Sequence, residues 1–130
     1  PILGICVGMQ IMSKSSEEGE LQGLNWINAN VIKFTRPDTN KKIILPHMGW
    51  NKIKYLKQNN LFLNINKKPR FYFLHSYYVQ LKNEKNAVAQ TNYFNNFTSV
   101  FQKENIYGVQ FHPEKSHKDG VQLMQNFANL

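Results

Sequence analysis

The segment Gly4-Ile5-Cys6-Val7-Gly8 sets the only cysteine of the chain between two glycines, directly after a short apolar run. This pattern reads as strand, sharp turn and helix, with the thiol at the apex. Pro1-Ile2-Leu3-Gly4-Ile5 is apolar enough for a buried strand over 2–5, and Met9-Gln10-Ile11-Met12 suits a helix over 7–15. A sharp turn crowds the backbone, and flanking glycines remove side chains that would clash. The logic is that of a Gly-x-Ser-x-Gly nucleophile elbow with sulfur in place of oxygen. A cysteine at a helix N-terminus meets unpaired N–H groups and a macrodipole that favour the thiolate. A lone cysteine is more often a small buried hydrophobe, so the presence of a base decides between the two readings.

The candidate base lies near the other end, in Gly108-Val109-Gln110-Phe111-His112-Pro113-Glu114. Residues two apart in an extended segment share a side, and Pro113 keeps helix out of the stretch. A carboxylate beside an imidazole holds its tautomer and stabilises the imidazolium, which a Cys–His pair needs from a third member. Alone, His-Pro-Glu reads as an ordinary loop with a surface carboxylate. Together with the cysteine elbow, Cys6, His112 and Glu114 become a candidate catalytic triad.

Length and composition bound the rest. With 130 residues, the chain reads as a single domain over 1–130. No apolar stretch approaches the roughly 20 residues of a membrane span, and one cysteine suits a reducing, cytoplasmic setting. Sixteen basic residues against 8 acidic give a formal charge of +8. That balance raises nucleic acid as a partner. The lysines, however, are scattered and only Arg36 and Arg70 are arginines, whereas arginine is the usual reader of phosphate and base edges. Solvated lysine faces are the better account, so neither nucleic acid nor membrane is expected. Zinc spacings, a Walker motif and a dinucleotide fingerprint are absent from the sequence, and its four histidines do not cluster along it. No metal or cofactor is therefore expected. The chain also opens inside what reads as a buried strand, which would need neighbours on both sides. The expectation is the C-terminal part of a longer protein.

Further elements follow from pattern. Trp26 to Phe34 alternates as a strand over 26–34, and Arg36-Pro37-Asp38-Thr39-Asn40 reads as a turn leading to a hairpin strand over 42–45. Residues 46–51 read as a Pro/Gly loop, 52–56 as a short extended piece, and Gln58-Asn59-Asn60 as a turn. Leu61-Phe62-Leu63 reads as a short helix or strand. Strands are predicted over 71–74, 77–81, 87–92, 98–103 and 106–111. Ser116 reads as a helix cap, followed by a helix to Leu130 with Val121, Met124, Phe127 and Ala128 on its apolar face.

The two end motifs together resemble those of class I (triad) glutamine amidotransferases. Leu45-Pro46-His47-Met48-Gly49-Trp50-Asn51, Phe73-Leu74-His75-Ser76-Tyr77-Tyr78 and Gln110 to Ser116 are similar to the glutaminase subunit of imidazole glycerol phosphate synthase. The likeness runs in order from residue 1 to 130. It implies an α/β fold: a class I glutamine amidotransferase-like mixed β-sheet flanked by helices, with the N-terminal strands and a Gly-rich oxyanion loop missing.

The resemblance also implies a mechanism. Cys6 attacks the side-chain amide of L-glutamine, His112 moves the proton, Glu114 orients His112, and the Val7 N–H donates to the oxyanion. Gln10, one helical turn past Cys6, resembles the glutamine-binding residue, and His75-Ser76-Tyr77 the strand end that holds the substrate's amino-acid head group. The implied partner is a (β/α)8-barrel cyclase subunit that receives the ammonia and makes imidazole glycerol phosphate and an aminoimidazole carboxamide ribonucleotide. Pro46, Met48, Trp50, Asn51 and Tyr72 are the candidate docking residues, Trp and Met being common interface anchors. Two alternatives stand beside this: a paralogous glutaminase supplying ammonia for sugar amidation in surface polysaccharide synthesis, and an inactive truncated domain.

Overall fold

The computed structural model describes residues 1–35 and 42–130. Strand β1 (Ile2–Ile5) runs into the short helix α1 (Val7–Ile11), followed by β2 (Ser15–Ser16), β3 (Ala29–Lys33), β4 (His47–Lys52) and β5 (Lys54–Tyr55). Strands β6 (Arg70–His75), β7 (Tyr77–Leu81), β8 (Ala87–Tyr93), β9 (Asn95–Lys103) and β10 (Ile106–Val109) come next, and α2 (His117–Ala128) follows them. Three sheets form among the described residues: β1-β10-β9-β8-β5, β2-β3-β7 and the ribbon β4-β6. The first is mixed, because β1 pairs with β10 in parallel while the other pairs are antiparallel.

That parallel pair positions the site. Ile2 to Ile5 align with Ile106 to Val109, and the Cys6 N–H continues the ladder by donating to the Val109 carbonyl at 2.8 Å. The strands therefore end side by side, and the segments beginning at Cys6 and Gln110 leave the same edge. Beneath lies an aromatic core. Phe71 and Phe73 alternate along β6 with the half-buried Tyr72 and Leu74, and both bury completely. Phe71 stacks on Phe111 at 4.0 Å between ring centroids. A second apolar cluster joins Met9 of α1 to Ile27, Val31, Val79 and Phe101.

Four expectations are corrected. The first helix stops at Ile11 rather than 15. Serines compete with helix through local hydrogen bonds, and Ser15–Ser16 instead pair in parallel with Asn30 and Val31. The returning chain satisfies the carbonyls at the helix end, with Leu24 N–H donating to Ile11 and Trp26 N–H to Met12. The hairpin partner over 42–45 is not a strand; β3 pairs with β2 and β7. The expected turn over 36–40 lies outside the described residues. Residues 46–51, read as a loop, are largely strand β4, which pairs with β6 from His47↔His75 to Lys52↔Arg70. Gly49, at φ 122°, carries the break in backbone conformation that Pro46 and glycine suggested, yet the ladder runs through it. Finally, α2 buries Gly120 and Leu123, with Phe127 packed against the core, while Val121 and Met124 face outward. A Cβ on Gly120 would sit 1.9 Å from the Pro113 carbonyl oxygen, so the helix approaches the His-Pro-Glu segment through this glycine.

Candidate active site

Cys6 has φ 51° and ψ −110°, the strained turn the sequence called for. Only one of the two glycines answers a steric need. A Cβ on Gly4 would meet the Gly8 carbonyl oxygen at 2.6 Å and the Met9 nitrogen at 2.7 Å, whereas a Cβ on Gly8 would meet nothing within 4 Å. The helix thus folds back against the bare backbone of Gly4.

In the segment that follows β10, Nδ1 of His112 lies 2.6 Å from Oε1 of Glu114. The imidazole is 18% exposed and the carboxylate 54%, so the carboxylate stays solvated while it holds the ring. Both chain segments are moored to one edge of β6. The Cys6 thiol lies 3.6 Å from the Leu74 carbonyl, and the His112 N–H donates to the Tyr72 carbonyl at 2.8 Å. Carbonyls two residues apart on a strand point the same way at a spacing of about 7 Å. Ser116 fastens the second segment again: its hydroxyl donates to the His112 carbonyl at 2.6 Å and accepts the Tyr72 N–H at 3.0 Å. It occupies the capping position of α2, but its side chain makes no capping bond.

Burial pushes the Cys6 thiol above its ordinary pKa. The Val7 N–H and the Gln110 side chain pull it back, and the charges of Glu114 and Glu18 push it up further. The thiolate expected from a helix terminus is therefore not what the surroundings favour: α1 has five residues, and its field is small against the desolvation of the sulfur.

Gln110 is fully buried. Its amide nitrogen lies 3.6 Å from the Cys6 sulfur, and its carbonyl accepts from the Gln10 amide at 3.0 Å. The Gln10 nitrogen also donates to the Tyr77 carbonyl at 2.9 Å. Gln10 is thus held inside, not on a solvated helix face. His75 is buried beside it, with Nδ1 2.7 Å from the same Tyr77 carbonyl. Ser76 is half-buried, and its carbonyl accepts the Phe34 N–H. Val7, Gln10, Ile11, Glu18 and Leu24 are among the residues around a cavity of about 370 Å³, in which Glu18 supplies the carboxylate.

The docking candidates divide between two faces of β4. Met48 and Trp50 are exposed, opposite Leu74 and Tyr72 on β6, and Pro46 is exposed just before the strand. Trp50 stacks on His117 at 5.1 Å, and the Lys115 ammonium lies 5.8 Å from the Tyr72 ring. Asn51 falls on the alternate face. Its amide donates to the Asn92 carbonyl at 2.9 Å and lies 3.1 Å from Nε2 of His47.

Sequence reasoning missed Gln110, Glu18 and Ser116. Gln110 had a usable signal, since it stands two residues before His112 in a segment read as extended. Ser116 meets Tyr72 only through folding that brings distant segments together, and Glu18 joins the cavity beside Val7 and Gln10 through the turn of the chain after α1. Among the described residues, no cluster of His, Cys, Asp or Glu could hold a metal ion. No helix there is long and apolar enough to cross a membrane.

A thiol on a strained turn after one strand, with a His–Glu pair after its parallel neighbour, is an arrangement suited to amide cleavage. Residues 1–129 match the family model Glutamine amidotransferase class-I, and the chain belongs to that family. It is 52% identical over all 130 residues to the imidazole glycerol phosphate synthase subunit HisH of Leptospira borgpetersenii. It is 54% identical over 127 residues to subunit HisH 2 of Methanococcus maripaludis. The chain spans 64% and 61% of the length of these two relatives. A solved glutamine amidotransferase from Thermotoga maritima shares the fold, with a TM-score of 0.65 at 18% identity, covering 99% of this chain and 47% of that one.

Proposed function

We propose that this chain carries the glutaminase chemistry of an imidazole glycerol phosphate synthase, hydrolysing L-glutamine to glutamate and ammonia for a cyclase partner. The observation that carries the reading is the thiol of Cys6 at its φ 51° turn, on the same sheet edge from which the His112–Glu114 pair departs. Family membership and the names of the two relatives support it.

In this reading Cys6 is the nucleophile. Its raised pKa means that the thiolate is not stored; His112 takes the proton as sulfur attacks the amide carbon, and then delivers it to the departing ammonia. Glu114 holds Nδ1 of His112, which leaves Nε2 for the transfer. The Val7 N–H, already directed at the sulfur, is the oxyanion donor from this segment. Water then hydrolyses the thioester to release glutamate. Glu18 suits the α-ammonium of the substrate, while Gln10 and the strand end His75-Ser76-Tyr77 frame its amino-acid head group.

Free ammonia in neutral water is protonated and no longer nucleophilic, so the product must pass directly to a second site. The partner in this reading is a (β/α)8-barrel cyclase subunit. It docks through exposed Pro46, Met48, Trp50 and half-buried Tyr72, with Asn51 behind them. The setting is cytoplasmic. The test is Cys6→Ala in the full-length protein paired with its cyclase: glutamine-dependent synthesis is lost while synthesis from added ammonium persists. Loss of both would assign Cys6 a structural role instead.

A further inference from the structure

The proposed chemistry uses the backbone of the His75-Ser76-Tyr77 strand end but not the imidazole of His75 or of the equally buried His47. Nδ1 of His75 lies 2.7 Å from the Tyr77 carbonyl, Nε2 of His75 lies 2.9 Å from Nδ1 of His47, and Nε2 of His47 lies 3.1 Å from the Asn51 amide. The direction of every hydrogen in this chain is forced. A carbonyl only accepts, so Nδ1 of His75 carries the hydrogen. Desolvation lowers the pKa of His75 to about 3 and that of His47 to about 4, so both rings are neutral near pH 7. A neutral His75 therefore offers a lone pair at Nε2, and Nδ1–H of His47 donates to it. The remaining lone pair of His47 accepts one hydrogen of the Asn51 amide, whose other hydrogen goes to the Asn92 carbonyl. At the far end, the Tyr77 carbonyl also accepts from Gln10, which bonds Gln110, which lies against the Cys6 sulfur.

We infer that His47 and His75 are positioning residues: their hydrogen-bonded rings tie the inner face of β4 at Asn51 to the Tyr77 carbonyl and the Gln10 amide beside the nucleophile. Packing fixes the rings in place, with His47 stacked on Phe73 at 4.8 Å and on Tyr93 at 4.0 Å. A flip of the His75 ring would take Nδ1–H away from the Tyr77 carbonyl, and a proton added to either ring would set two donors against each other at the His75–His47 or the His47–Asn51 contact. Because Gln10 and the Tyr77 backbone border the substrate's head group in the proposed glutaminase, on which the catalytic part of this inference rests, loosening them affects substrate binding before it affects bond cleavage.

The test uses the full-length protein with its histidine rings labelled with nitrogen-15. Ring nitrogen shifts and couplings report neutral Nδ1–H tautomers for both His47 and His75 from about pH 5.5 to about pH 8. An Nε2–H tautomer on either ring overturns the inference, and this measurement requires no turnover. In glutamine hydrolysis, His75→Phe keeps an aromatic ring but removes the bonds; it raises KM about tenfold and changes kcat by less than about threefold. His75→Asn, which retains a donor near the Nδ1 position, recovers most of the KM. Unchanged KM in His75→Phe, or equal losses in the two variants, overturns the positioning role. Should Cys6→Ala still hydrolyse glutamine, the glutaminase reading fails while the tautomer result stands by itself.

Discussion

The Gln110 amide lies 3.6 Å from the Cys6 sulfur, a contact between residues 104 positions apart in sequence. It opposes the desolvation that raises the thiol pKa. Gln110→Leu keeps a similar volume but removes the donor. Alkylation of Cys6 by iodoacetamide, followed against pH in the full-length protein, should have its midpoint above the ordinary thiol value. In Gln110→Leu the midpoint should climb further, because the thiolate loses a hydrogen-bond donor. An identical profile in both proteins would show that the amide does not stabilise the thiolate.

Glu114→Gln should lower glutamine turnover by about tenfold to a hundredfold without lowering the melting temperature. The carboxylate is 54% exposed, so its removal leaves no buried charge unpaired. The imidazole, however, then faces a neutral amide whose NH2 end can turn toward Nδ1 and select the wrong tautomer. Turnover equal to that of the unmodified protein would remove Glu114 from the proposed triad.

The glycines flanking Cys6 should behave differently. Gly4→Ala forces a methyl onto the Gly8 backbone, where the gap is 2.6 Å, and should destabilise the fold by about 3 kcal/mol. Gly8→Ala points into open space and should cost less than about 0.5 kcal/mol, alanine being a better helix former than glycine. Chemical denaturation of the two variants distinguishes them. Equal destabilisation would contradict the asymmetry of the elbow.

Acid should weaken this fold early. His75 and His47 bind protons in the folded state only near pH 3 and 4, whereas in the unfolded chain they do so near pH 6.5. Between those limits the unfolded state holds more protons, so stability falls as pH decreases from about 6.5 and levels off only below about 3. Unfolding near pH 5 should take up about two protons from this pair alone. His75→Phe should flatten the dependence by about one proton. A denaturation midpoint constant from pH 7 to 5 would show that the rings charge without penalty.

Much of the site was legible because its signals are local. The elbow at Cys6 and the spacing of His112 and Glu114 both lie within seven-residue stretches. Strand β4 was not legible, because Pro46 and Gly49 carry the composition of a loop, and only pairing with the aromatic β6 makes the segment a strand. Val121 and Met124 were misplaced for a related reason. Periodicity favours large apolar side chains, whereas α2 approaches its neighbour through Gly120. Nor could Gln110 be read as the partner of Cys6, since that contact exists only through the parallel register of β1 and β10.

That register also governs when the site comes into being. Cys6 is among the first of these residues to be translated, and its amide, imidazole and carboxylate neighbours arrive a hundred residues later. A nascent chain therefore carries the thiol without these neighbours until that later stretch has been made. The surroundings of the thiol appear only once β1 and β10 have paired.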